Sequence, residues 1–187
     1  MTWFDAMSGH GRITMHDLEW LPLEFIAFNM REEDRREIYG NLPSDNPLEL
    51  AAMVFQAVGK KGVGWIASLD GRPTGAFGMF ENWPGNWQVF SFGTNDYRRV
   101  VVTFREKLDT ALKFARENGA HRVECKSHGT HKEAQALLRV VGFDLECVLR
   151  SYGRDGADYL LFTKAWGNDG NLRPIERPAC PVCACRV

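Results

Sequence analysis

The spacing of hydrophobic positions changes along the chain, and each change predicts a different kind of element. Thr14–Asp17 reads as a capped turn. Residues 23–30, LEFIAFNM, are densely apolar, with aromatic and branched side chains, and predict a strand. Residues 31–39, REEDRREIY, predict a charged helix with its acids in the first turn, where the helix dipole favours them. A breaker cluster, NLPSDNP, spans 41–47, and residues 48–58, LELAAMVFQAV, predict a half-buried helix that stops at Gly59. The period then falls to two. VGWIASL (63–69), PTGAFGMF (73–80) and WQVFSF (87–92) predict three strands, joined by Asp70-Gly71 and by the turn NWPGN at 82–86. Tight turns make these an antiparallel meander.

Strands and helices then alternate. Val101, Phe104, Leu108, Ala111, Leu112 and Ala115 recur three and four apart, predicting a helix over 101–118 that Gly119 ends. A short strand, RVECK, follows at 122–126. A helix over 130–141 places Ala134, Leu137, Leu138 and Val141 on one face, with Thr130 as cap, Glu133 in capping-box position and Gly142 as stop. Residues 145–152 and 159–166 predict a final hairpin around Gly153–Gly156. From Gly167 the chain turns to Gly, Asn, Asp, Arg and Pro and ends in Cys-Pro-Val-Cys-Ala-Cys-Arg-Val, a tail rather than core.

Composition fits one domain. The chain has 187 residues, 44% hydrophobic and 25% charged, ordinary globular values. The expected organisation is an N-terminal extension (1–22), a domain (23–166) and a cysteine-containing tail (167–187). A net charge of −1 leaves no basic field for a phosphate backbone, which argues against nucleic acid as partner. No apolar run approaches the roughly 18 residues of a membrane span. MTWFDAMSGHGR has no basic start followed by an apolar core, so no signal peptide is visible. Five cysteines without a secretion signal point to reduced thiols.

The order of elements, together with the run HKEAQALLRVVGFDLECVLRSYGRDGADYLLF, in which a helix ends in Gly-Phe before a hairpin, resembles the GNAT (Gcn5-related N-acetyltransferase) superfamily. The resemblance implies an α/β (α+β) fold with a mixed, mostly antiparallel central sheet flanked by helices. SFGTNDYRRVVVTFREKL and the run from Val123 to Phe162 are also similar to GNAT-like internal virion proteins of tailed phages and prophages. This narrower resemblance implies a catalytically degenerate structural or assembly protein of the virion, made in the bacterial host cytoplasm. Its partners would be other virion proteins, or copies of itself engaged through the tail. The alternative is an active acetyl-CoA-dependent N-acetyltransferase.

In GNAT enzymes a Gln/Arg-x-x-Gly-x-Gly/Ala segment starts the long helix and cradles the coenzyme A pyrophosphate on backbone N–H groups, where glycine permits close approach. Aligning Arg98 with the first motif position puts Val101 and Thr103 where the glycines belong. No cofactor is therefore expected. If acetyl-CoA binds, Gly93, Thr94, Arg98 and Arg99 are the candidates to hold it. The family's proton-donating tyrosine falls on Leu138, which has no proton to give and is expected in the core. Glu81 and Asp96 are carboxylates near the meander's end, placed as general bases would be but more in character as turn residues. No catalytic residue is assigned. His128 and His131, three apart, read as a loop histidine and a first-turn residue, with ligand geometry as the alternative. Cys180, Cys183 and Cys185 supply three thiolates, and zinc there would borrow a fourth ligand from elsewhere. The tail is expected to order only against a neighbouring chain.

Overall fold

The computed structural model describes residues 11–167 and 171–173. Eight strands form one sheet. The strands are β1 (Ile13–Asp17), β2 (Gly62–Leu69), β3 (Arg72–Trp83), β4 (Asn86–Gly93), β5 (Arg122–His128), β6 (Asp144–Leu149), β7 (Tyr159–Trp166) and β8 (Leu172–Arg173). They run in the order β1-β2-β3-β4-β5-β7-β6, with β8 paired to the end of β7. Among the described residues only β4 and β5 pair in parallel, and every other neighbour is antiparallel. The mixed, mostly antiparallel sheet expected from sequence is present.

Alternation along the strands sorts side chains into two cores. Trp65, Ala67, Leu69, Phe77, Met79 and Trp87 face helices α4 (Val101–Glu117) and α5 (Lys132–Val140). Ile66, Ala76 and Phe92 face helices α1 (Trp20–Phe28) and α3 (Pro47–Lys61). The short helix α2 (Glu32–Tyr39) lies across the end of β4 and β5. Leu138 is 5% exposed within the first core, as its residue type demanded.

Four local expectations are corrected. Residues 23–30 are not a strand, because α1 covers most of them. Leu23, Ile26, Ala27 and Met30 are the buried ones, at i, i+3, i+4 and i+7. Pro22 sits in the first turn, where a missing N–H costs the helix nothing. Thr14–Asp17 is not a turn but part of β1, in antiparallel register from Ile13↔Leu69 to Asp17↔Trp65, so residues of the expected N-terminal extension join the sheet. Helix α3 runs through Gly59 to Lys61, where Lys60 and Lys61 complement the dipole. Its start follows the rules: the Asn46 side chain accepts from Leu48 N–H at 2.9 Å and Pro47 occupies the first turn. Finally, Thr130 does not cap α5. The cap position is His131, and the Thr130 hydroxyl lies 2.9 Å from His128 Nδ1. Among the described residues, no helix is long and apolar enough to cross a membrane.

Candidate active site

The parallel pairing of β4 with β5 is short. It covers Asn86↔Arg122, Trp87↔Val123 and Gln88↔Glu124 and then stops, although β4 continues to Gly93 and β5 to His128. Beyond Gln88 the two strands part, and helix α2 bridges the gap by both ends. At its start, Arg31 N–H donates to Gly93 O at 2.9 Å, and Gly93 N–H donates to Asp34 Oδ2 at 2.8 Å. Asp34 also pairs with Arg31 at 2.8 Å, with side chains 3% and 10% exposed. At the other end the Tyr159 hydroxyl donates to Glu37 O at 2.7 Å, and Arg154 N–H donates to Gly40 O at 2.7 Å. Burial, followed by the Glu37 charge, pushes the Tyr159 phenol up to about 12, so it remains a donor.

Between these anchors the Glu37 side chain reaches β5. Its Oε2 accepts from Ser127 Oγ at 2.7 Å, from His128 N–H at 2.8 Å and from His131 Nδ1 at 3.0 Å. A carboxylate only accepts, so the Nδ1 of His131 carries a proton, and in the neutral ring Nε2 holds the free lone pair. The neighbouring His128 has the opposite tautomer. Thr130 N–H donates to its Nδ1 at 3.2 Å, which leaves the proton on Nε2. Both Nε2 atoms are buried without a hydrogen-bond partner among the described residues. Burial pulls the His131 imidazolium down, but the hydrogen bond to Glu37 and its charge outweigh that, and the net shift is upward.

These histidines line a cavity of about 340 Å³, together with Glu33, Arg36, Arg98, Thr130, Lys132 and Glu133. The cavity thus lies where β5 turns into α5, beside the start of α4. The turn is tight, since a Cβ on Gly129 would stand 2.8 Å from Asp158 O, and Gly129 N–H donates to that oxygen at 2.8 Å. Arg98 crosses to Glu133 on α5, with Nε 3.0 Å from Oε2 and a second contact from Nη2 to Oε1. This pair ties the start of α4 to the start of α5.

The four residues expected to hold a cofactor are spread out. Arg98 lines the cavity. Arg99 pairs with Asp96 at 3.8 Å and does not line it. Thr94 is buried, its N–H on Thr74 O at 2.9 Å. Gly93 holds α2 and makes room for Tyr97, because a Cβ there would lie 2.3 Å from the Tyr97 ring. A 3₁₀ turn over Tyr97–Arg99 precedes α4, whose first turn holds Val101 and Thr103, and local bonds use up N–H groups: Arg99 donates to Asp96 O, Val100 to Tyr97 O and Thr103 to Val100 O. Thr103 is buried with its hydroxyl on Val100 O, so its side chain does not stand over the helix start. No side chain caps α4, and Arg98 and Arg99 immediately precede it.

Glu81 and Asp96 do turn work, as their surroundings in sequence indicated. Glu81 accepts from Lys61 Nζ at 2.7 Å and from Gly85 N–H at 2.9 Å. Asp96 stands at the start of the 3₁₀ turn. Burial pushes the thiols of Cys125 and Cys147 upward, so neither is poised as a thiolate nucleophile. Cys180, Cys183 and Cys185 lie outside the described residues, and with them the expected zinc site and the proposed tail contacts. Among the described residues, no group of three or more His, Cys, Asp or Glu side chains is arranged to hold a metal ion.

Solved acetyltransferases share this architecture. The phosphinothricin acetyltransferase of Sinorhizobium meliloti, described in complex with acetyl-CoA, superposes with a TM-score of 0.66 at 14% identity, covering 86% of this chain and 93% of its own. The ribosomal-protein-alanine N-acetyltransferase of Brucella melitensis gives 0.64 at 16% identity, over 81% and 99% of the two chains. A GNAT-family acetyltransferase of Streptococcus pneumoniae gives 0.60 at 15%, over 83% and 100%. No family profile and no curated protein matches the sequence. At these identities the likeness establishes the fold: the chain has the GNAT acetyltransferase fold.

Proposed function

We propose that the protein is an acyl-CoA-dependent N-acyltransferase, with acetyl-CoA as the expected donor. The observation that carries this reading is the parting of β4 and β5, with a charged cavity at the β5–α5 junction lined by His131, the imidazole that the Glu37 carboxylate holds. The β4 edge beyond Gln88 has no strand beside it on the β5 side among the described residues. Such an edge offers backbone groups to a ligand arm that carries amides, as a sheet edge does to an added strand. The uncapped start of α4 and the Arg98 guanidinium suit a pyrophosphate. Here side-chain charge takes over part of what glycine backbone does in the enzymes the sequence resembles. Fold alone does not define function, and the reading rests on this site. It favours the second of the two functions drawn from the sequence over the virion role, and the acetyltransferase neighbours support it.

The acyl thioester supplies an activated carbonyl carbon and a thiolate leaving group. The protein's part is to hold it along β4, exclude water and present the amine. Isothermal titration of the purified chain with acetyl-CoA tests the reading, followed by detection of released thiol with a panel of amines. Micromolar binding with thiol release supports it. No binding at millimolar ligand refutes it and returns the virion assembly role as the surviving reading.

A further inference from the structure

We propose that His131 Nε2, held by Glu37, is the general base that takes the proton from the acceptor amine. This deepens the acyltransferase reading and rests on it. Neither residue stands in a recognisable catalytic motif. The assignment comes from three features that converge at one place.

The tautomer is fixed. Glu37 Oε2 accepts from Ser127 Oγ, His128 N–H and His131 Nδ1, all within 3.0 Å, so Glu37 has no freedom to release the ring. A carboxylate that orients an imidazole in this way also stabilises the imidazolium formed when the ring takes a proton. The Nε2 lone pair is unused. It is buried and unpartnered in a side chain 5% exposed, in a residue that lines the cavity. A buried polar atom without a partner is costly, and natural structures keep such atoms mainly where they are used. The third feature is the position, at the junction of β5 and α5, on the β5 side of the gap where β4 and β5 no longer pair.

The groups facing His131 set its protonation. From α2 and the residue before it come Arg31, Glu33, Asp34, Arg36 and Glu37; from the 3₁₀ turn comes Arg98; from the β5–α5 junction come His128, Lys132 and Glu133. The net effect is upward from 6.5, which gives a base of useful strength near neutral pH.

In the step itself the neutral amine nitrogen attacks the thioester carbonyl carbon. A C–N bond forms and the C–S bond breaks. The N–H proton passes to His131 Nε2, directly or through one water, and the departing thiolate recovers a proton from the imidazolium by way of solvent. Amine and acyl thioester become amide and thiol, and the base is regenerated.

Two measurements test this on the full chain. The first is independent of turnover: nitrogen-15 NMR of the histidine rings. His131 should report a protonated Nδ1, and Glu37→Gln should abolish that preference. A neutral wild-type His131 with its proton on Nε2 and none on Nδ1 overturns the proposal. The second is kinetic. His131→Ala should lower kcat by on the order of 10²–10⁴-fold with little change in acetyl-CoA affinity, and added imidazole should restore part of the rate. Glu37→Gln should cost about tenfold or more and move the acidic-limb pKa of kcat/KM, where the base loses its proton, downward. Thermal melts confirm that each variant is folded, and His131→Gln serves if the alanine variant is not. Wild-type kcat and an unchanged pH limb in a folded His131 variant that still binds acetyl-CoA sink the base alone. Loss of acetyl-CoA binding by the wild type sinks the reading and the base together.

Discussion

Helix α2 carries a buried ion pair at its start, and the Asp34 carboxylate of that pair ties the helix to β4, so removing it should have a large, local effect. Asp34 lies 2.8 Å from Arg31, with side chains 3% and 10% exposed, and it is also the acceptor for Gly93 N–H. In Asp34→Ala the guanidinium stays buried with its counter-charge gone, and its Nε already lacks a hydrogen-bond partner. Removing one member of a buried pair costs about 3–5 kcal/mol. The orphaned Gly93 N–H adds to this, though not independently, since the two groups share one carboxylate. For a chain of this length, about 2–4 °C accompanies each kcal/mol, so the melting temperature should fall by roughly 6–20 °C. Hydrogen exchange should show the Gly93 amide losing protection well beyond the average. The double variant Arg31→Met/Asp34→Leu keeps volume and removes both charges, and it should recover most of the loss, keeping about the 1–3 kcal/mol of a Gly93 N–H left without its acceptor. A single variant within about 1 kcal/mol of wild type by denaturant unfolding would refute the idea that Asp34 pins α2 and balances a buried charge. So would a double variant as unstable as the single.

Three further outcomes are expected. Glu133→Gln frees Arg98 from an exposed pair, so acetyl-CoA should bind about two- to fivefold more tightly and stability should hardly change; calorimetry showing weaker binding would mean that Glu133 orders Arg98 for its ligand. Leu138→Ala should cost about 2–5 kcal/mol by chemical unfolding, because the side chain is buried against the sheet; a variant as stable as wild type would place this face of α5 outside the core. His131 has its folded pKa raised above 6.5, so the stability it contributes is full below that pH and is lost as pH rises through the folded value. Unfolding free energy should therefore decline across that window in wild type and stay flat in His131→Gln.

The sheet was legible because its information is local. Alternation at 63–69, 73–80 and 87–92, with Asp70-Gly71 between the first two, specifies a meander whose register the pleat enforces. The same holds for α4, whose apolar stripe matches its buried residues Phe104, Leu108, Ala111 and Ala115. Helix α1 was missed for a physical reason. Phe25 and Phe28 fill the positions between its buried residues, so apolar density masks the helical spacing that Leu23, Ile26, Ala27 and Met30 carry. The site was harder. Glu37 is one acid among several in a charged helix, and its partners Ser127, His128 and His131 lie 90 or more residues away. Nothing in the spacing of REEDRREIY separates Glu37 from Glu32 or Glu33. The one available signal was the pair His128 and His131 beside a glycine at the end of a strand, and its weight depended on a partner that only the fold supplies.

Helix α2 also accounts for the parting of β4 and β5 without glycine in the segment before α4. In a parallel pair, strands that separate leave N–H and C=O groups to be satisfied elsewhere. Here Asp34 and the backbone of Arg31 take the end of β4, while Glu37 takes the end of β5, three residues further along the same helix. Two acids one helical turn apart thus hold two strand ends apart. The separation of the strands is set by the pitch of α2 and not by the loop before α4. That loop is then free to become a 3₁₀ turn, and the first turn of α4 holds valine and threonine where the resemblance puts glycine. Glu37 serves both purposes at once, since the oxygen that caps β5 is the oxygen that orients His131.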